Sequence, residues 1–340
     1  MLHRKVGGMT PFGFGLISDI QYADIEDASN FSGTEHRGYR EAAHAAMTSL
    51  QTWSTHPASP LFVAQLGDLI DGQNAGTYGQ GLALKEPQSS EALNRVLSAW
   101  ESHPIKTFHA IGNHELYNFS WEELRSRLNG LIGGAPHQIS DPHTGQFYYS
   151  VSISVGWRLI VLNCYEMNVI RGLQPETQAE AARLLRSHNP NYGQPVPFDF
   201  FAGLEEAQMR YVPFNGGLGA RQLAWLDEEL RALSARGEKA LICGHLPLSV
   251  EAGSPRNVAF DADDALTILR DHREKIAAYF AGHRHRGGYA RDSSGIHHLT
   301  VQAPLTHGAC AATAFISEKG LDVQGEGAHR SHLMSLDHLK

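Results

Sequence analysis

The chain has 340 residues, of which 42% are hydrophobic and 19% charged, and it carries a net charge of −8. Such a composition belongs to an ordinary globular protein, long enough to bury a sizeable core without covalent staples. It argues against the concentrated basic face that nucleic acid demands, and no apolar run approaches membrane-spanning length.

Phe12 to Ser18 is an apolar run that stops at Asp19, the pattern of a buried strand feeding a loop. Ala42, Ala43, Ala46, Met47 and Leu50 fall at helical spacing and predict a helix over Tyr39 to Trp53. Leu61 to Leu66 is a second buried strand, leading to Gly67-Asp68; Glu91 to Glu101 is helical in pattern. Ile105 to Ile111 is a third strand, leading to Gly112-Asn113-His114. Ser120 with Glu123 forms a capping box, so a helix begins there. Gln146 to Ser154 and Arg158 to Asn163 predict an antiparallel pair turning at Gly156-Trp157. Thr177 to His188, Leu218 to Ala235 and Asp263 to Asp271 are helical. Lys239 to Cys243 and Ile276 to Ala281 are strands ending at Gly244-His245 and Gly282-His283. His297 to Val301, Ala311 to Ile316 and Leu321 to Val323 add strands near the end.

This order predicts sheets covered by helices rather than a purely parallel fold. The stretches Gly72 to Pro87 and Asn189 to Gly217 are too long for simple connections, which marks them as functional loops. Cys164, Cys243 and Cys310 are too scattered for a disulfide framework, and two of them close apolar runs as buried thiols do. No apolar stretch of signal-peptide kind follows His3, Arg4 and Lys5, so a cytoplasmic protein is expected.

Five separated segments end strands and carry oxygen or imidazole donors. They are Asp19-Ile20-Gln21, Gly67-Asp68-Leu69-Ile70-Asp71-Gly72, Gly112-Asn113-His114-Glu115, Gly244-His245 and Gly282-His283-Arg284-His285. Taken singly, a strand-end aspartate is usually a turn former and Gly-His carries almost no information. Gly-His-x-His says more, since residues two apart in extended chain face the same way. Together and in this order they describe a two-metal site, with Asp68 as the carboxylate able to touch both ions. Ligands on one rim of a rigid sheet need no rearrangement during reaction. The chemistry expected is metal-assisted cleavage of a phosphate ester or anhydride.

The five segments resemble those of the calcineurin-like metallophosphoesterases. Over most of its length the chain is similar to the manganese-dependent ADP-ribose/CDP-alcohol diphosphatase family. The segments that carry this include Asn30-Phe31-Ser32-Gly33-Thr34, His188-Asn189-Pro190-Asn191, Phe214-Asn215-Gly216-Gly217 and His283 to Tyr289. The resemblance implies an α/β (α+β) fold, a four-layer αββα sandwich of two mixed sheets flanked by helices. It implies one domain over residues 1–340, with its core at about 12–327. Asp19, Gln21, Asp68 and His285 would surround one metal; Asp68, Asn113, His245 and His283 would surround the other. His114 matches the histidine that meets the scissile phosphate, and Asp71 the carboxylate that orients and charges it.

Gln21 stands where many relatives have histidine. Exchanging nitrogen for an amide oxygen tilts that site toward Mn²⁺, with Mg²⁺ as the alternative, and away from Zn²⁺. The expected substrates are small nucleotide conjugates: ADP-ribose, yielding AMP, or CDP-alcohols such as CDP-choline and CDP-glycerol, yielding CMP. Phe31 is a candidate to stack on the base, Leu204 and Val258 to line the nucleotide side, and Arg284 and Arg286 to meet a terminal phosphate. Two other enzyme readings share the fold. Phosphoprotein phosphatases place arginine directly after the second aspartate, where this chain has Gly72; cyclic-nucleotide phosphodiesterases usually place histidine at the position of Gln21. A scaffold without catalysis has no support, because every ligand position holds a competent donor.

Overall fold

The computed structural model describes residues 11–30, 33–56, 60–76, 86–103, 105–128, 146–194 and 199–339. In chain order the first half runs β1 (Phe12–Ile17), β2 (Ala28–Ser29), β3 (His36–Arg37), α1 (Tyr39–Thr55), β4 (Val63–Gln65) and α2 (Ser89–Ser102). It continues with β5 (Thr107–His109), α3 (Asn113–Asn118) and α4 (Trp121–Leu128). The second half runs β6 (Tyr149–Ser154), β7 (Trp157–Val161), α5 (Pro175–His188), α6 (Gly219–Arg236), β8 (Lys239–Cys243) and α7 (Ala262–Asp271). It ends with β9 (Ile276–Ala281), β10 (Gly288–Arg291), β11 (His297–Thr300), α8 (Pro304–His307), β12 (Cys310–Ser317), β13 (Gly320–Gly327) and β14 (His332–Met334).

Two mixed sheets result, ordered β14-β13-β12-β1-β4-β5 and β10-β11-β9-β8-β7-β6. The strands β1, β4 and β5 are mutually parallel, as are β7, β8, β9 and β11, while β12 joins β1 antiparallel. Phe12, Phe14 and Leu16 of β1 point into the space between the sheets, where they meet Leu159, Val161, Leu241, Cys243 and Phe280 from the other sheet. The alternate residues face outward. Ile17 and Val63 pack under α1 and α2; Ile160, Ala240 and Ile242 pack under α6 and α7. Period-2 alternation between two apolar faces is why each sheet sits between a helical layer and its partner sheet. The expected four-layer sandwich is present. On the outer face of β1, a Cβ at Gly15 would lie 2.8 Å from the Trp53 indole, so glycine is what lets α1 approach. The indole is then anchored by its Nε1–H, which donates to Thr313 Oγ1 of β12 at 2.9 Å.

The expected helices and strands are present, with three informative differences. The strands expected over residues 12–18, 61–66 and 105–111 are shorter in the structure, because their last residues leave the ladder and enter the site loops. Asn113 and His114, expected in a turn, begin the short helix α3. The capping box at Ser120 forms as read: Ser120 N and Oγ each lie 2.8 Å from Glu123 Oε2. The hairpin turns one residue earlier than expected, at Val155-Gly156, with Gly156 at φ 75°.

Candidate metal centre

All five motif segments meet where strands of the two sheets end. Their backbones are held in costly conformations. Asp19, Gln21, Asp68 and His283 have φ of 52°, 45°, 60° and 66°, and they are the non-glycine residues of positive φ among the described residues. Each such conformation costs roughly 1–2 kcal/mol for an L-residue, so the surroundings must enforce it. The enforcing bonds are visible. Asp19 N donates to Gly67 O at 3.1 Å and Gln21 N to Asp68 O at 2.9 Å. His283 N donates to Asp19 Oδ2 at 3.0 Å. Glu115, fully buried at the start of α3, accepts from Asp68 N at 2.8 Å, Leu69 N at 2.6 Å and Gly112 N at 2.8 Å. Two motif glycines are required by proximity. A Cβ at Gly112 would fall 2.0 Å from Asp68 Oδ1, and one at Gly282 would fall 1.8 Å from Ser18 Oγ.

The donors converge as two overlapping groups that share Asp68. In the first, Asp68 Oδ2 is 3.2 Å from His245 Nε2, which is 3.2 Å from His283 Nδ1. In the second, the Gln21 amide lies 3.2 Å from Asp68 Oδ2, 3.4 Å from Asp19 Oδ1 and 2.9 Å from His285 Nε2. Each imidazole spends its outer nitrogen on the protein: His245 Nδ1 on Leu66 O at 2.7 Å, His285 Nδ1 on Thr306 Oγ1 at 3.1 Å, His283 Nε2 on Asn215 Oδ1 at 2.9 Å. For His245 and His283 the outer nitrogen faces an oxygen that can only accept, so the inward nitrogen is the one that would give its lone pair to a bound ion, the arrangement that orients metal-binding histidines.

Asn113 and Gln21 fit the same reading once their protons are counted. Tyr165 Oη lies 3.0 Å from Asn113 Oδ1 and 3.2 Å from Phe214 O. The Tyr165 hydroxyl has one proton for these two acceptors. With that proton on Phe214 O and the Asn113 amide turned over, its NH₂ would meet Tyr165 and its oxygen would face inward, as a metal ligand requires. Gln21 Oε1 is buried with no hydrogen-bond partner while its NH₂ faces three acceptors. Turning that amide places a neutral oxygen beside Asp19, Asp68 and His285, the donor set of a hard divalent cation.

Charge supports the same occupant. Burial lifts the Asp19 carboxyl to about 6, partly opposed by the charge of His245. Burial would also raise Asp68, but the charges of His245 and His114 outweigh it and hold that carboxyl well below the usual range. His245 answers: burial alone would lower it, and the Asp68 charge raises it to about 9. Burial drives His283 down to about 3 and His285 well below the ordinary imidazole value, so both stay neutral with free lone pairs.

A titration prediction follows for the metal-free protein. The raised value of His245 means its proton is held fully below pH 6.5 and released as pH rises through about 9. A cation must displace that proton, so Mn²⁺ affinity rises by about tenfold per pH unit between pH 7 and 9. Below pH 6 the dependence steepens, because Asp19 also holds a proton there. Calorimetric titration of Mn²⁺ in buffers of different ionisation enthalpy measures about one proton released at pH 7.5.

Beside this cluster, His114 sits on α3 with its amide N–H on Asp68 Oδ1 at 2.9 Å. Gly72 N–H lies 2.8 Å from His114 Nδ1; since an amide can only donate, Nδ1 accepts and Nε2 carries the proton. Asp71 is 3.4 Å from the same Nδ1, but its Oδ1 caps Gln73 N and its Oδ2 makes no hydrogen bond. The tautomer of His114 is therefore set by Gly72, and the aspartate expected to orient it makes no hydrogen bond to the ring. A guanidinium completes the corner: Arg37 Nη1, from β3, is 3.7 Å from Asp71 Oδ2.

The proposed substrate-side residues fare unevenly. Phe31 lies outside the described residues. Val258 has 0% exposure inside the main core. Leu204 is buried at the edge of the 189–217 loop. Arg286 Nε is 2.6 Å from Glu35 Oε1, and Arg284 Nη1 is 3.4 Å from Ala252 O, so both spend donors on the protein. Instead, the ring of Phe214 stands 6.1 Å from that of His283, with Phe200 and Phe201 each 6.2 Å from Phe214. Glu115, Arg37, Tyr165, Asn215 and Phe214 are the residues that motif reading did not assign. Glu115 and the pair Phe214-Asn215 lay inside segments already singled out; Arg37 and Tyr165 carried no signal.

The fold and site define a calcineurin-like phosphoesterase: the family model described as calcineurin-like phosphoesterase matches residues 12–287. Within that class, a Bos taurus manganese-dependent ADP-ribose/CDP-alcohol diphosphatase is 35% identical over 300 residues, covering 86% of this chain and 84% of the relative. An Arabidopsis thaliana protein of the same name is 33% identical over 295 residues, covering 86% of each. A crystal structure of a dimetal phosphatase from Danio rerio superposes with a TM-score of 0.83 at 33% identity, covering 96% of this chain and 99% of that one. This chain belongs to the manganese-dependent ADP-ribose/CDP-alcohol diphosphatase family.

Proposed function

We propose that this protein is a two-metal hydrolase of nucleoside diphosphate conjugates such as ADP-ribose and CDP-alcohols, releasing AMP or CMP, with Mn²⁺ as its metal. The observation that carries the chemistry is the convergence of Asp19, Gln21, Asp68, His245, His283 and His285, with Asp68 common to both groups and Asn113 opening the helix beside them. Family membership narrows the substrate.

Bound there, two ions would activate a water and neutralise charge on the phosphate oxygens. The chain's own residues do the rest. His114 would hydrogen-bond the phosphate and the departing oxygen through Nε2–H, while Gly72 N–H holds the ring in that tautomer and the Asp71 carboxylate lies 3.4 Å from Nδ1. Arg37 brings a cation to this corner from β3, so the guanidinium that phosphoprotein phosphatases carry after the second aspartate has a counterpart from elsewhere in the chain. The ring of Phe214 offers a flat apolar wall beside His283, suited to a base or ribose.

We read the chain as one domain, because β1, β4 and β5 of one sheet and β8 and β9 of the other feed the same site. A reducing, cytoplasmic setting belongs to the proposal, supported by three buried thiols that stay free. Among the described residues no helix is long and apolar enough to cross a membrane.

The test is hydrolysis of a panel (ADP-ribose, CDP-choline, CDP-glycerol, a 3′,5′-cyclic nucleotide and a phosphopeptide) with Mn²⁺, with Mg²⁺ and without metal. Release of AMP or CMP that requires metal and is strongest with Mn²⁺ is expected. Turnover confined to the phosphopeptide or the cyclic nucleotide would overturn the reading.

A further inference from the structure

Asn215 lies just before the double glycine 216–217 and is fully buried. All the polar capacity of its side chain is directed. Its Nδ2 donates to Arg210 O and to Arg256 O, both at 2.9 Å. Those two acceptors are carbonyls, so the amide cannot turn over, and Oδ1 must face His283 Nε2, 2.9 Å away. An oxygen without a proton can only accept. His283 Nε2 must therefore carry the imidazole proton, and Nδ1 must be the bare nitrogen that points to Asp68 and His245.

From this geometry we propose that Asn215 is a positioning residue with two linked tasks. It locks His283 in the Nε2–H tautomer with Nδ1 toward the metal. It also ties the loops at Arg210 and Arg256 to that same ring, and with them the adjacent Phe214, whose ring stands 6.1 Å from His283. The inference rests on the two-metal reading above and adds to it the coupling of one metal position to the wall on the substrate side. An amide suits both tasks. Alanine would leave a buried N–H without an acceptor and two carbonyls without a donor; aspartate would keep the acceptor but lose both donors.

The two variants separate the tasks. Asn215→Ala loses the lock and the tie; Asn215→Asp loses only the tie. The expected result for Asn215→Ala is one Mn²⁺ retained with native affinity and one weakened by about tenfold to hundredfold, read by calorimetry and by manganese paramagnetic resonance. Asn215→Asp keeps both within about threefold, because a carboxylate oxygen still accepts from His283 Nε2–H. Both variants raise KM for ADP-ribose, because both release Phe214. Saturating Mn²⁺ restores kcat in Asn215→Ala but leaves KM high. Nitrogen chemical shifts of the metal-free protein report the lock directly: His283 is a single Nε2–H tautomer in wild type and a mixture in Asn215→Ala.

Wild type that binds no Mn²⁺ would sink the two-metal reading itself. Wild type that binds two ions, together with an Asn215→Ala variant that binds two equally well, would sink only this inference. So would Asn215→Asp losing Mn²⁺ as badly as Asn215→Ala, since the residue would then be a loop staple and nothing more.

Discussion

Asn substituted for Asp68 is expected to bind at most one Mn²⁺ in place of two and to lose about 10³-fold or more in kcat/KM, several kcal/mol of charge stabilisation. The reason is positional. Asp68 Oδ2 is the one carboxylate oxygen shared by the Gln21 and the His245 groups, so no neighbour can take over its charge. The substitution keeps the shape of the side chain, and an amide oxygen can still accept from His114 N as Oδ1 does. The fold should survive, which circular dichroism checks. A second signature distinguishes lost charge from lost structure. The carboxylate of Asp68 is what raises His245 to about 9, so Asp68→Asn frees that imidazole of its proton. The proton released on metal binding at pH 7.5 should then vanish. A variant that still takes up two ions and keeps a tenth of the activity would show that Asp68 is not the shared ligand.

His114→Ala is the second large effect. Here kcat should fall by about 10²–10³ while both Mn²⁺ sites fill normally, because a hydrogen-bond donor to the phosphate is removed and not a ligand. The deficit should be similar for ADP-ribose and a nitrophenyl ester. Nε2–H is the only proton the ring offers, since Nδ1 is occupied by Gly72 N–H, so the neutral ring hydrogen-bonds the phosphate and does not give its proton away. A loss at least tenfold larger on an alkyl ester, whose departing alkoxide needs a proton, would show instead that His114 is a proton donor. Asp71→Asn should be milder than His114→Ala, because its carboxylate acts across 3.4 Å without a hydrogen bond to the ring.

The motif reading reached Asp19, Gln21, Asp68, Asn113, His245, His283 and His285 because each follows a strand at an interval that the chain alone displays. Apolar runs of period two announce strands, and a strand that ends at glycine and a donor announces a rim. The same reading could not reach Arg37. It comes from a two-residue strand whose partner is another two-residue strand, and no periodicity that short is visible. Val258, taken from the resemblance as lining the nucleotide side, is fully buried in the main core, a burial that spacing along the chain does not display.

By itself, then, the sequence determined the apolar runs that become strands, the donor types and the family, because these depend on residue identity and spacing along one chain. Tertiary structure alone decided how those donors act. It showed that Gly72 and not Asp71 sets the His114 tautomer, that Glu115 enforces the strained Asp68 turn, and that Asn215 reaches His283 from 68 positions away. Hydrogen bonds are directional and reach only about 3 Å, so which proton faces which lone pair exists only once the chain has folded.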